Sequence, residues 1–283
     1  MIAYIGTGLL GANFVRALLQ KGAQVRVWNR TFSKAQALEA DGAQAFEDVA
    51  EAVKGASRVH ITLSDDVAVD AVLEQAKAGL SKDVVIVDHT TVTATTVAKR
   101  TQYWKEQGFT YIHAPVFMGP QNARESTGYM LISGDQALVA KLTPELSAMT
   151  GKLLNMGTDP NKAAGMKLLG NLFLITLTTG LSDTLAMAKA LNIPAGDVAA
   201  LFSEWNPGAS VLGRLKKITD AQFDKPTWEL NMARKDARLM MEEATEVGVE
   251  LFMIPVIAAT MDEWIKKGFG NHDWTIIAKD SLA

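Results

Sequence analysis

Lys167 and Asn171 are the side chains whose types and spacing point most directly to chemistry. They lie four apart in Gly165-Met166-Lys167-Leu168-Leu169-Gly170-Asn171, so a helix would place both on one face. Their neighbours Met166, Leu168, Leu169, Leu172 and Phe173 are apolar. A lysine in such a segment either snorkels its ammonium to water or is buried and functional. The rarity of buried lysines favours snorkelling. Burial would instead lower its pKa toward neutrality and suit it to proton transfer. Gly170 would admit the close approach of another backbone.

A second constellation stands at the start of the chain. The apolar run Ile2-Ala3-Tyr4-Ile5 leads directly into Gly6-Thr7-Gly8-Leu9-Leu10-Gly11. This Gly-x-Gly-x-x-Gly spacing between a predicted strand and a predicted helix suits a dinucleotide. Gly6 would make the tight turn and Gly8 would let a pyrophosphate approach the backbone. Gly11 would let the helix pack on the strand, with the phosphates at the helix N-terminus and Leu9 and Leu10 of the turn among the cofactor contacts.

The acid that usually binds the ribose 2′-hydroxyl about 20 residues past the glycines is absent. The second strand ends Val27-Trp28-Asn29-Arg30-Thr31 instead. Asn29 and Thr31 can hydrogen-bond a 2′-phosphate, and Arg30 can pair with it and stack on adenine. NADP(H) is therefore expected over NAD(H); the alternative is that Arg30 is a solvated loop residue. Ligands in such sheets sit at the carboxyl ends of strands, which adds Leu63, Ser64 and Thr91 as cofactor contacts. Taken singly, Ser64 and Thr91 also suit helix N-caps.

The elements that must position these groups alternate in the first half. Strand-like runs cover 2–5, 24–28, 58–63, 84–88, 111–116 and 129–133, with helical patterns between the first five, such as 12–21. That order predicts a parallel sheet covered on both faces. Asp159-Pro160-Asn161 reads as a helix start, and a helical pattern then runs to about Leu191. Further helices are expected at 195–204, 210–217, 227–247 and 255–267, with no strand after residue 160. The fold class is α/β, a Rossmann-type dinucleotide-binding domain over 1–160 and an all-α domain over 161–283. The long interdomain helix spans 161–191. The helical domain is expected to serve substrate binding and oligomerisation.

Composition narrows the function classes. A net charge of -3 over 283 residues, with 21% charged residues, gives no electrostatic footprint for nucleic acid or an anionic membrane. The absence of cysteine excludes disulfides and thiolate chemistry. His60, His89, His113 and His272 show no metal-ligand spacing, so no metal is expected. The N-terminus lacks a secretory pattern, and the charge-free apolar stretch Leu168 to Ser182 is shorter than the roughly 20 residues of a membrane span. A soluble cytoplasmic chain with that stretch as a buried helix is the expectation.

Taken together, four motifs resemble the β-hydroxyacid dehydrogenase family, which includes 3-hydroxyisobutyrate dehydrogenase and glyoxylate/succinic semialdehyde reductase. The resemblance runs over almost the whole length. Gly6 to Gly11 matches the family's fingerprint, and Asp88-His89-Thr90-Thr91 resembles its Asp-x-Ser-Thr loop. Gly165-x-Lys167-x-x-x-Asn171 matches its catalytic helix, and Lys235-Asp236-Ala237-Arg238-Leu239 resembles its Lys-Asp-Leu-x-Leu segment. The resemblance implies that Lys167 is the general acid and base opposite NADPH, that Asn171 orients substrate, and that Lys235 reaches the nicotinamide end. It also implies a homodimer or homotetramer and closure of one domain over the other. Without the resemblance, Lys235 reads as a solvated helix charge paired with Glu242 or Glu243.

One segment departs from the family. Its Asp-Ala-Pro-Val-Ser-Gly-Gly loop stands here as His113-Ala114-Pro115-Val116-Phe117-Met118-Gly119-Pro120. The serine hydroxyl that would hold a substrate carboxylate is replaced by Phe117, and Met118 replaces a glycine. Loss of one charge-assisted hydrogen bond, about 1.5–3 kcal/mol, is enough to change substrate preference. Phe117, Met118 and Gly119 are the expected substrate-loop residues, and they also resemble the loop of imine reductases. Those enzymes typically carry Asp or Tyr where this chain has Lys167. Three readings follow: a reductase of a small aldehyde, ketone or semialdehyde, an imine reductase, and a non-catalytic NADP-binding sensor or scaffold. Alternatively, Phe117 and Met118 pack against the helical domain.

Overall fold

The computed structural model describes residues 1–282. The first compact unit runs from Met1 to Leu172 and the second begins at Phe173. In the first unit β1 (Ile2–Ile5) is followed by α1 (Leu9–Gln20), β2 (Val25–Trp28), α2 (Phe32–Gln36) and β3 (Gln44–Phe46). Next come α3 (Val49–Val53), β4 (Arg58–Ile61), α4 (Asp66–Ala76), β5 (Val85–Asp88), α5 (Ala94–Glu106) and β6 (Thr110–His113). These six strands form one sheet in the order β3-β2-β1-β4-β5-β6, with every pair parallel.

The side-chain period of two divides the strands between two cores. Ile5, Val59, Ile61 and Ile86 face one core, while Tyr4, Val27, Val87 and Ile112 face the other. Both faces are covered, which is why β5 is buried throughout. Several helices in this unit open on a side-chain cap. Asp48, Asp65 and Thr93 accept backbone N–H bonds at the starts of α3, α4 and α5.

The first unit differs from the sequence expectation in several places. The run 111–116 divides at Pro115, which has no N–H for the ladder. Its first part joins β6, and its end becomes β7 (Val116–Phe117). After α6 (Pro120–Glu125), β8 (Tyr129–Ile132) pairs antiparallel with β7 and leaves the main sheet. Beyond α7 (Gln136–Ser147), β9 (Lys152–Asn155) completes a separate three-stranded sheet. Short polar-ended β3 and β9 carry no apolar run that would have revealed them. Finally, α1 begins at Leu9, directly after the glycine turn, rather than at residue 12.

The long helix α8 (Lys162–Ala190) closely follows its expected span. Its start is held in the first unit, where Ser133 Oγ accepts from Ala163 N at 2.9 Å and Ala163 and Ala164 are buried. The second unit adds α9 (Ala195–Glu204), α10 (Val211–Thr219), α11 (Leu230–Glu246) and α12 (Ile254–Trp264), and no strand is assigned there among the described residues. Its small core centres on Phe223, Leu230, Met261, Trp264 and Ile276. Asp183 of α8 accepts N–H bonds from Phe252, Met253 and Ile254 at 2.8, 2.8 and 3.2 Å, which fixes the start of α12. The 3-10 segment Trp274–Ser281 was not anticipated.

The expectation of a buried helix over 168–182 is corrected. Leu172 is 63% exposed and Ile175 66%, with Leu169, Phe173, Leu174 and Leu177 also open. By length and composition α8 could cross a bilayer. The sequence count stopped at the charges Lys167 and Asp183, but both sit within the continuous helix and both are engaged by protein.

Candidate active site

The glycine turn forms as its spacing requires. Gly6 has φ +91°, and a Cβ there would lie 2.0 Å from the Thr62 carbonyl oxygen. A Cβ on Gly11 would lie 1.9 Å from the Gly6 carbonyl oxygen. Gly8 is different, because nothing lies within 4 Å of its Cβ position. It is the N-cap of α1, no side chain caps that helix, and its first turn holds no acidic residue. Uncapped N–H groups at a helix N-terminus, beside open space, form a cradle for a phosphate anion.

A cavity of about 370 Å³ lies against this cradle. It gathers Gly6, Gly8, Leu9, Leu10, Gly11, Asn29, Arg30, Thr31, Leu63 and Ser64, ten of the twelve expected cofactor residues. Asn29 is also part of the loop framework. Its Oδ1 accepts from Thr7 N at 3.1 Å and its Nδ2 donates to the Thr31 carbonyl at 3.0 Å. Arg30 is exposed. Lys34 of α2 lines the same cavity, a second cation that the sequence reading passed over. Arg30 lies before α2 begins at Phe32, so no helical spacing links the two cations in the sequence.

The remaining expected cofactor residues are placed elsewhere. Thr91 is exposed and outside this cavity's lining; its neighbour Thr90 is buried and accepts from Leu63 N at 3.0 Å through Oγ1. Lys235 belongs to α11 in the second unit. It is 48% exposed and pairs with Asp236 at 3.0 Å, rather than with Glu242 or Glu243.

Lys167 is only 8% exposed, so the burial alternative is the one the fold adopts. Its Nζ donates to Asn171 Oδ1 at 3.0 Å and lies 4.2 Å from the centroid of the Phe117 ring. Burial pushes the ammonium below the usual lysine range. Phe117 comes from β7, while Lys167 and Asn171 come from the first turns of α8. Met118 packs against the core cluster that holds Tyr4 and Phe14, with Gly128 at its side chain. Gly119 N donates to Asn122 Oδ1 at 2.9 Å and opens α6. The contact between the Phe117 ring and Lys167 carried no sequence signal.

Comparison with known proteins agrees with this architecture. Residues 1–157 match the family described as the NAD binding domain of 6-phosphogluconate dehydrogenase. The 3-sulfolactaldehyde reductase of Escherichia coli is 27% identical over 284 residues, covering 98% of this chain and 94% of that protein. Glyoxylate/succinic semialdehyde reductase 1 of Arabidopsis thaliana is 26% identical over 286 residues, covering 98% and 96%. Among solved structures, the imine reductase of Myxococcus stipitatus in complex with NADP+ superposes with a TM-score of 0.92 over 99% of both chains. Its sequence identity is 20%, so that likeness concerns the fold. The expected kinship with β-hydroxyacid dehydrogenases holds in these full-length relatives. The chain belongs to the family of the NAD binding domain of 6-phosphogluconate dehydrogenase, and it is an oxidoreductase.

Proposed function

We propose that this chain is an NADP(H)-dependent reductase of a small aldehyde, ketone or semialdehyde, with Lys167 as its general acid. The observation that carries the reading is the buried Lys167 ammonium, held by Asn171 with no carboxylate beside it among the described residues. A bound nicotinamide dinucleotide would supply the hydride. Lys167 holds a proton at Nζ and gives it to the carbonyl oxygen as negative charge develops there; in the oxidative direction it takes that proton back. Asn171 aims Nζ through its Oδ1 and keeps Nδ2 for the substrate oxygen.

The cofactor reading rests on the cradle at Gly8 and on Arg30 and Lys34, two cations without an acid at the end of β2. Cations there favour a 2′-phosphate. Residues 1–160 would bind the dinucleotide. The named relatives act on small aldehydes, which supports the substrate class. The apolar residues all round α8 favour burial in an assembly. A second copy of the chain is the proposed cover.

Lys167→Ala tests the reading. NADPH consumption with an aldehyde panel should fall by at least about a hundredfold, the usual scale of general acid catalysis, while NADPH binding persists. Normal turnover by the variant would remove Lys167 from this role. Imine reduction is the second reading, supported by the apolar Phe117 beside Nζ. Cyclic imines assayed beside semialdehydes separate the two. Tight NADPH binding with no turnover of either class would favour a sensor.

A further inference from the structure

The seat of Phe117 is built from both sides. Its strand β7 pairs with β8, and Gly128, just before β8, has φ +78°; a Cβ there would lie 2.9 Å from the Phe117 carbonyl oxygen. At the other end a Cβ on Gly170 would lie 2.4 Å from Phe117 Cζ, so the ring tip rests on the bare backbone of α8. Its face then meets Lys167 Nζ at 4.2 Å. Among the described residues, Asn171 Oδ1 and this ring are the partners of the ammonium, and no other titratable side chain pairs with it.

Burial alone would favour the neutral amine, which has no acidic proton to give at neutral pH. Asn171 can bond either form. The ring discriminates between them, because the negative face of its quadrupole attracts the cation and has little hold on the uncharged amine. An aliphatic side chain of similar size would remove water from Nζ without that compensation. The serine expected at this position from the family pattern would leave Gly170 without the ring that needs it.

We propose that Phe117 is a positioning residue for the reaction, its ring seated on Gly170 so that its face keeps the Lys167 ammonium charged and aimed beside Asn171. The proposal rests on Lys167 being the general acid. It makes Phe117 and Gly170 one device, with the missing Cβ of the glycine providing the space the ring occupies.

The test is a direct titration of Lys167 in the full chain. Lysines labelled with 13C at Cε are followed by NMR across pH, with the Lys167 signal assigned by its loss in Lys167→Arg. Phe117→Leu removes the π face and should lower the Lys167 pKa by about one unit, the scale of a desolvated cation–π contact. Replacing Phe117 by 3,5-difluorophenylalanine keeps the ring and its bare Cζ tip on Gly170 while weakening the negative face, and should lower the value part of the way. In kinetics, the basic limb of kcat/KM should move down with Phe117→Leu and less far with the difluorinated ring. An unchanged pKa in Phe117→Leu overturns the proposal. So does an unchanged value with the difluorinated ring, since packing alone would then explain the effect. If Phe117→Leu does not fold, Gly170→Ala displaces the ring through its new Cβ and is read the same way. A basic limb that survives in Lys167→Ala refutes the general-acid reading instead, and the NMR titration still reports on the ring.

Discussion

Acid should destabilise this protein through a pair of histidines in its core, His60 and His89. Both are buried, His60 completely, and their rings lie nearly coplanar and edge to edge with centroids 5.2 Å apart, with Tyr4 against His60 and Phe14 against His89. His89 Nδ1 lies 2.7 Å from the Ala114 carbonyl oxygen, which can only accept, so Nδ1 carries the hydrogen. Nε2 of the neutral ring then accepts from His60 Nδ1 at 2.9 Å, leaving His60 Nε2 bare and without a partner. Burial pushes His89 down from 6.5 to about 4, against the raising effect of the Ala114 carbonyl. Burial and the neighbouring His89 hold His60 well below its ordinary range.

The sign follows from linkage. Between pH 4 and 6.5 the unfolded chain binds more protons at His89 than the folded chain does. Its contribution is therefore fully present above the unfolded value and is lost as pH falls toward the folded one. From about pH 7.5 to about pH 4.5, His89 alone should cost roughly 2–3 kcal/mol, and His60 adds to this. Urea unfolding at the two pH values measures the difference. The double variant His60→Leu/His89→Asn serves as the reference, because its carboxylates remain while the buried rings are gone. Whatever stability it loses at neutral pH, its pH dependence should be flatter by at least that amount. Superimposable pH dependences would refute the account.

Three other perturbations address the cofactor, the helical unit and the exposed face of α8. Arg30→Ala and Lys34→Ala should each weaken NADPH roughly tenfold to a hundredfold, by loss of a charge-assisted bond, and leave NADH nearly unchanged in fluorescence titration. Equal losses for both cofactors would defeat the 2′-phosphate assignment. Asp183→Ala leaves three backbone donors at the start of α12 without their acceptor and should destabilise the second unit by about 3 kcal/mol, read as a lower Tm. Leu172→Glu with Ile175→Glu should reduce the mass seen by light scattering to that of one chain; an unchanged assembly would place the interface elsewhere.

Local patterns made much of this molecule legible in its sequence. The strand-like runs of β1 and β4, the apolar run of β5 and the Asp-Pro-Asn start of α8 led to the main sheet and the long helix. Ten of the expected cofactor residues lie in one cavity because glycine spacing and strand ends are local properties carried by a common sheet topology. The second sheet was not legible, since β7 and β9 are short and their pairing depends on chain segments distant in sequence. Lys34 was missed for a different reason, as a lysine on a short exposed helix has no meaning until the helix is placed beside a cavity.

By itself, the sequence determined that Lys167 and Asn171 share a helical face and that Gly6, Gly8 and Gly11 shape a turn for a dinucleotide. Helical spacing and the steric reach of a Cβ decide these within a few residues. Only the tertiary structure decided that Lys167 is buried rather than solvated and that Phe117 stands over its ammonium on the backbone of Gly170. It also brought Arg30 and Lys34 to one cavity. Burial and ring placement arise from segments that meet only when the chain is folded, and the charge state of a lysine depends on what surrounds it.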